Sequence, residues 1–156
     1  MRLFFIICLS LITYSANAQV KLLSLDELDK RLTNGRDTTY VINFWATWCS
    51  PCVAELPHFE ELHRANLKKP VKVLLVSLDF KSKLQKAVIP FVVEKKLKAE
   101  VFLLNEKDQQ AYIERIDPKW SGAIPATLFI KKDKRQFFER EFTAGELNAA
   151  WLNFNK

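Results

Sequence analysis

Val41-Ile42-Asn43-Phe44-Trp45-Ala46-Thr47-Trp48-Cys49-Ser50-Pro51-Cys52 is the stretch that decides the fold. Its first five residues are β-branched, aromatic or apolar apart from Asn43, which is the composition of a buried strand. Two cysteines follow at C-x-x-C spacing, with Trp48 before them and Pro51 between them. Proline suits the first turn of a helix, so the cysteines fall where a strand hands over to a helix. That placement suits two thiols that open and close one disulfide. A plain structural staple is the weaker reading, because a bridge across so short a loop removes little entropy from the unfolded chain.

The residues before this stretch set the compartment. Met1-Arg2 is a short positive start, Leu3 to Ile12 is almost wholly apolar, and Ala16-Asn17-Ala18 places small residues two apart before Gln19. This order is that of a secretory signal peptide, residues 1–18, cut after Ala18 to leave a domain over residues 19–156. The apolar run is about half the roughly 20 residues that a membrane span needs, which disfavours an uncleaved anchor. Cys8 follows the bulky Ile6-Ile7 and reads as part of the discarded leader. Of three cysteines, only Cys49 and Cys52 then remain. An exported chain with that pair alone has no other disulfide partner to offer. Arg2 leaves with the leader, lowering the formal net charge of +6 by one. The basic runs Lys95-Lys96-Lys98 and Lys131-Lys132-Lys134-Arg135 read as solvated faces, not as a nucleic-acid site.

The mature chain alternates helix and strand. Ser24 and Glu27 have capping-box spacing, and Gly35 closes a helix predicted from Leu25 to Thr33. Thr38 to Trp45 reads as a strand, Pro51 to Leu67 as a helix kinked at Pro57, and Val71 to Leu78 as a second buried strand. Lys83 to Lys96 is helical by pattern, with a kink at Pro90. Glu100 to Leu104 reads as a short strand and Gln109 to Arg115 as a short helix. Ala126 to Lys131 and Arg135 to Phe142 flank a hairpin turn, and Ala144 to Phe154 is the closing helix. Strands alternating with helices and ending in a hairpin predict one α/β domain with a mixed sheet flanked by helices.

Asn43 to Cys52, followed by Glu55-Leu56-Pro57, resembles the exported thioredoxin-like proteins of the TlpA/ResA type. Ile124-Pro125-Ala126-Thr127 resembles the loop in which thioredoxin folds carry a cis-proline facing the redox pair. The resemblance covers the mature chain in element order. It implies a thioredoxin-like fold, and the extra strand and helix between Asp79 and Pro125 resemble that group's central insertion. Two departures stand out: the spacer is Ser50-Pro51, where Gly-Pro or Glu-Pro is more usual, and Asn43 replaces the acid of thioredoxin itself, as is common in TlpA-like proteins.

Placement predicts the chemistry. Cys49 at a helix N-terminus meets unpaired N–H groups and the positive helix end, so it is expected as the exposed, attacking thiolate. Cys52, one turn in, is expected to be buried and to resolve the mixed disulfide. Ser50 is a candidate helix cap and, equally, a candidate donor of a weak hydrogen bond that tunes the thiolate. Glu55 shares a helix face with Cys52; an ordinary first-turn glutamate is the bland reading, and the resemblance raises a proton carrier beside it. Trp45 and Trp48 are expected as walls of the site, with Trp48 available to a partner protein. Pro125 would leave the backbone of Ile124 open to a substrate strand and keep metal from the sulfurs. His58 and His63 are five apart, a poor match to zinc spacing.

Three classes of function remain open. The resemblance implies a thiol–disulfide oxidoreductase, a reductase of exported protein disulfides or of cytochrome haem-attachment cysteines, or else a disulfide oxidant. A copper-binding module with the two sulfurs as soft ligands is the second. An interaction domain with an inert disulfide is the third. The leading reading needs a disulfide-bearing exported protein as substrate, a membrane thiol carrier as electron donor, and no cofactor beyond the two sulfurs.

Overall fold

The computed structural model describes residues 20–156. The predicted signal peptide and Cys8 lie outside the described residues.

Six strands form one mixed sheet in the order β1-β4-β3-β2-β5-β6. They are β1 (Lys21–Leu23), β2 (Thr39–Trp45), β3 (Val71–Ser77), β4 (Glu100–Leu104), β5 (Ala126–Lys131) and β6 (Lys134–Phe138). β2 pairs parallel with β3, β3 with β4, and β4 with β1. β5 runs antiparallel to both β2 and β6. The helices are α1 (Leu25–Asn34), α2 (Ser50–Ala65), α3 (Ile89–Glu94), α4 (Gln109–Ile116) and α5 (Ala144–Phe154). This is the thioredoxin-like fold that the resemblance implied.

Side-chain alternation along β2 divides the core in two. Val41 and Trp45 point to the face covered by Leu56 and Phe59 of α2 and by Leu147, Trp151 and Phe154 of α5. Ile42 and Phe44 point to the other face, against Leu25 and Leu28 of α1 and Ile113 and Ile116 of α4. All seven residues of β2 are buried, as expected of a strand covered on both sides. Each fully buried Leu, Ile or Phe contributes about 1.5–3 kcal/mol relative to exposure. Period two also places Asn43 on the α2 face, and this decides its role in the site.

α1 starts at the predicted capping box: Ser24 Oγ accepts the Glu27 N–H and Glu27 accepts the Ser24 N–H. Gly35 ends it, where a side-chain carbon would collide with the Tyr40 hydroxyl. α2 runs unbroken from Ser50 to Ala65 with Pro57 inside it.

Two expectations are corrected, and one strand is added. The Lys83–Lys96 stretch is not one kinked helix but a 3₁₀ turn (Lys81–Lys83), a π turn (Leu84–Val88) and then α3. Pro90 has no N–H to donate, and just ahead of it the ladder widens so that Ile89 N–H reaches Leu84 C=O. The last strand ends at Phe138, not Phe142, because its partner β5 begins at Ala126 and the ladder stops at the Thr127–Phe138 pair. β1, which the pattern did not reveal, is three residues long and is defined by its pairing with β4.

Candidate functional site

The site lies where β2 ends and α2 begins. Cys49 and Cys52 are joined by a disulfide, S–S 2.01 Å, with Cα atoms 5.3 Å apart. Cys49 itself, not Ser50, is the helix cap: its Sγ sits 3.3 Å from the Cys52 backbone nitrogen, in the direction of that N–H. Ser50 is the exposed first residue of α2, followed by Pro51 in the first turn. Free N–H groups at a helix start stabilise negative charge, so this sulfur sits where a thiolate is favoured.

Cys49 is less exposed than expected, at 6 %, while Cys52 is fully buried. The cover over Cys49 includes the loop before β5: the Ile124 carbonyl oxygen lies 3.8 Å from Cys49 Sγ. The Ile124–Pro125 bond is cis, and this loop stands against the redox pair. Trp48 carries the exposure instead, at 68 %. Trp45, by contrast, is fully buried and packs on Phe91 with ring centroids 5.2 Å apart. A groove of about 680 Å³ opens beside the pair, with Trp48, Phe80, Leu104, Tyr112 and Ile124 among its walls.

Glu55 is fully buried, one turn below Cys52 on the same helix. Its Oε1 accepts from Asn43 Nδ2 at 2.7 Å and its Oε2 from the Phe142 backbone N–H at 2.8 Å. Burial pushes its carboxyl up to about 7, against the opposite pull of the Phe142 and Asn43 hydrogen bonds. Asn43 Nδ2 also lies 3.2 Å from Thr127 Oγ1, two residues after the cis-proline. Asn43 Oδ1 is buried without a partner. Turning that amide over would present Oδ1 to Glu55, an acceptor for the proton of the neutral acid. The site thus offers a carboxyl able to hold or release a proton near neutral pH, on the buried side of the disulfide.

Four groups that matter here are not singled out by sequence reasoning. Asp79, nearly buried, accepts the Thr47 N–H at 2.9 Å and the Thr47 hydroxyl at 2.7 Å, and is bonded by Ser77 Oγ at 2.8 Å. It thereby pins the turn that leads into Trp48-Cys49. Thr127 and the Phe142 backbone complete the surroundings of Glu55, and Glu139 holds the loop before the cis-proline. An acid between Leu78 and Phe80 just past an apolar strand is the one sequence signal among them. His58 and His63 are half-buried on α2. Among the described residues, no group of three or more His, Cys, Asp or Glu is placed to hold a metal ion, and no helix is long and apolar enough to cross a membrane.

A model of the AhpC/TSA family matches residues 15–135, most of the chain. The chain belongs to this family. Among relatives, the thiol-disulfide oxidoreductase ResA of Oceanobacillus iheyensis is 38% identical over 55 residues, 35% of this chain and 29% of that protein. The sporulation thiol-disulfide oxidoreductase A of Bacillus subtilis is 33% identical over 63 residues, 40% and 38% of the two chains. The chain therefore spans well under half the length of these curated relatives. Among solved structures, a thioredoxin-related protein from Neisseria meningitidis serogroup B superposes with a TM-score of 0.63 at 20% identity, over 75% of this chain and 84% of that one. StoA from Bacillus subtilis superposes with a TM-score of 0.55 at 20% identity, over 78% and 84%. At that identity the structural likeness shows the shared thioredoxin-like fold. For this AhpC/TSA-family chain, the residues at the redox pair carry the functional argument.

Proposed function

We propose that this AhpC/TSA-family chain is an exported thiol–disulfide oxidoreductase that reduces disulfides of exported proteins. The observation that carries the reading is the asymmetry of the pair: Cys49 caps α2 beneath the Ile124 carbonyl, while Cys52 and Glu55 are sealed behind it. In the reduced protein the Cys49 thiolate attacks one sulfur of a substrate disulfide. A mixed disulfide forms, and the other substrate sulfur leaves as a thiolate that takes up a proton. Cys52 then loses its proton and attacks Cys49 Sγ. The Cys49–Cys52 bond re-forms and the second substrate thiol departs, two electrons having passed to substrate. Glu55, its carboxyl near 7, is the group suited to accept the Cys52 proton. The disulfide form of the pair must then be recharged by a dithiol donor, for which a membrane thiol carrier is the candidate.

The reducing direction rests on charge. No Lys or Arg occurs between Phe44 and Glu61. The helix end is then the main stabiliser of the thiolate and contributes about 1 kcal/mol, which for two electrons is on the order of tens of millivolts. A potential nearer about −270 mV than about −120 mV follows.

Export rests on the leader-like residues 1–18, and intact mass of the protein beginning at Gln19 is the check. The activity is tested by trapping. Cys52→Ser is expected to accumulate mixed disulfides through Cys49, and Cys49→Ser to trap nothing. Trapping through Cys52 in the Cys49→Ser variant reverses the roles. Equilibration with glutathione fixes the potential, and a value near the oxidant end overturns the reducing direction alone.

A further inference from the structure

We propose that Glu139 is a positioning residue for the reaction: it holds the loop over Cys49 in the shape that polypeptide disulfides dock against. The proposal rests on the oxidoreductase reading above. The ladder between β5 and β6 ends at the Thr127–Phe138 pair, and Glu139 is the next residue on the β6 side. There a side chain takes over the tie. Glu139 Oε2 accepts the Ser121 N–H at 3.1 Å, and Oε1 accepts the Ala123 N–H at 3.1 Å and the Ser121 hydroxyl. From the other side, buried Trp120 donates its indole N–H to the Ala123 carbonyl at 2.8 Å. The N–H and C=O of Ala123 are therefore both occupied. Gly122 between them has φ of 94°, a left-handed conformation that side-chain-bearing residues rarely adopt.

The consequence falls on Ile124. Its carbonyl sits 3.8 Å from Cys49 Sγ, and its place is set by the residue before it. A carboxylate with two acceptor oxygens suits three donors from one loop, and hydrogen bonds to a charged acceptor are the strong ones. Glu139 lies just past β6, six strands and helices further along the chain than α2, and no hydrogen bond joins it to either sulfur. Its effect passes through loop shape, so it should govern how a polypeptide docks and not how readily the pair exchanges.

The test compares Glu139→Ala and Glu139→Gln with the unaltered protein, using insulin as a polypeptide disulfide and hydroxyethyl disulfide as a small one. Glu139→Ala is expected to raise KM for insulin about tenfold with kcat within about twofold, while the rate with hydroxyethyl disulfide holds. Glu139→Gln keeps one acceptor oxygen and should fall between. Amide exchange at Ser121 and Ala123 should quicken in the same order. An unchanged KM for insulin overturns the proposal. So does an equal loss with both disulfides that follows a fall in Tm, since that marks a merely structural role. If the unaltered protein turns over neither disulfide, the oxidoreductase reading fails instead; unchanged exchange at Ser121 and Ala123 in Glu139→Ala then overturns the clamp itself, and faster exchange upholds it.

Discussion

Glu55 shows how one residue's chemistry is set by its surroundings. A glutamate in water ionises near 4.5, and burial raises this one to about 7. Between those values the folded state keeps a proton that the unfolded state has lost. Its contribution to stability is therefore fully present below about pH 4.5 and is lost as the pH climbs through about 7, with a total on the order of 3 kcal/mol. Glu55→Gln removes the titration, so the difference in Tm between variant and parent should change across that window and level off above it. Thermal melts from pH 4 to 8 provide the check, and a flat difference would mean that Glu55 does not titrate there. The same substitution removes a buried negative charge one turn from Cys52. It should lower the apparent thiol pKa while slowing the resolving step, read by thiolate absorbance against pH and by single-turnover rates.

At the scale of elements, the turn between β2 and α2 is held by a residue just past the end of β3. Asp79 accepts the Thr47 N–H and hydroxyl, and Ser77 Oγ bonds the same carboxylate. β2 and β3 run parallel with Trp45 opposite Ser77, so their ends lie side by side and one acid can serve both. Asp79→Ala leaves the Thr47 N–H without its acceptor and is expected to destabilise by about 2–4 kcal/mol, since bonds to charged groups are worth about 1.5–3 kcal/mol each. Asp79→Asn, keeping one oxygen, should lie between. Thermal denaturation gives the magnitude, and a change in Trp48 emission reports the loosened turn. An undisturbed Tm would mean that Asp79 does not hold the turn. The π turn before α3 belongs to this scale too: Pro90 reads as a kink in a helical pattern, but the chain meets the missing N–H by changing hydrogen-bond register.

For the whole molecule, the antiparallel hairpin and α5 close the core on the α2 side. Phe129 of β5 lies edge-on to Phe138, Trp151 and Phe154, with centroids 5.6, 6.4 and 5.6 Å away. It is fully buried, so Phe129→Ala should cost about 3–5 kcal/mol through lost burial and the cavity left behind. Urea denaturation with an unchanged m-value would show a loss of stability without a change of fold. A cost below about 1 kcal/mol would mean that the hairpin repacks freely around the gap.

The sequence shows what depends on near neighbours. The buried strand before Cys49, the helix that starts at the cysteines, the Ser24–Glu27 capping box and the span of α5 rest on residues a few positions apart, where periodicity and capping act. It also located the redox pair and Pro125 as candidates, because those motifs are contiguous. Tertiary structure alone decided the rest. Glu55 is buried because the chain returns 87 residues later to place the Phe142 N–H against it, and no local pattern encodes that approach. Cys49 is shielded because a loop 75 residues away lies over the start of α2. β1 exists because β4 pairs with it, its three residues being too few to show a period. Glu139 matters because the β5–β6 ladder ends one residue before it, and only the folded register brings that carboxylate to the loop over the sulfur.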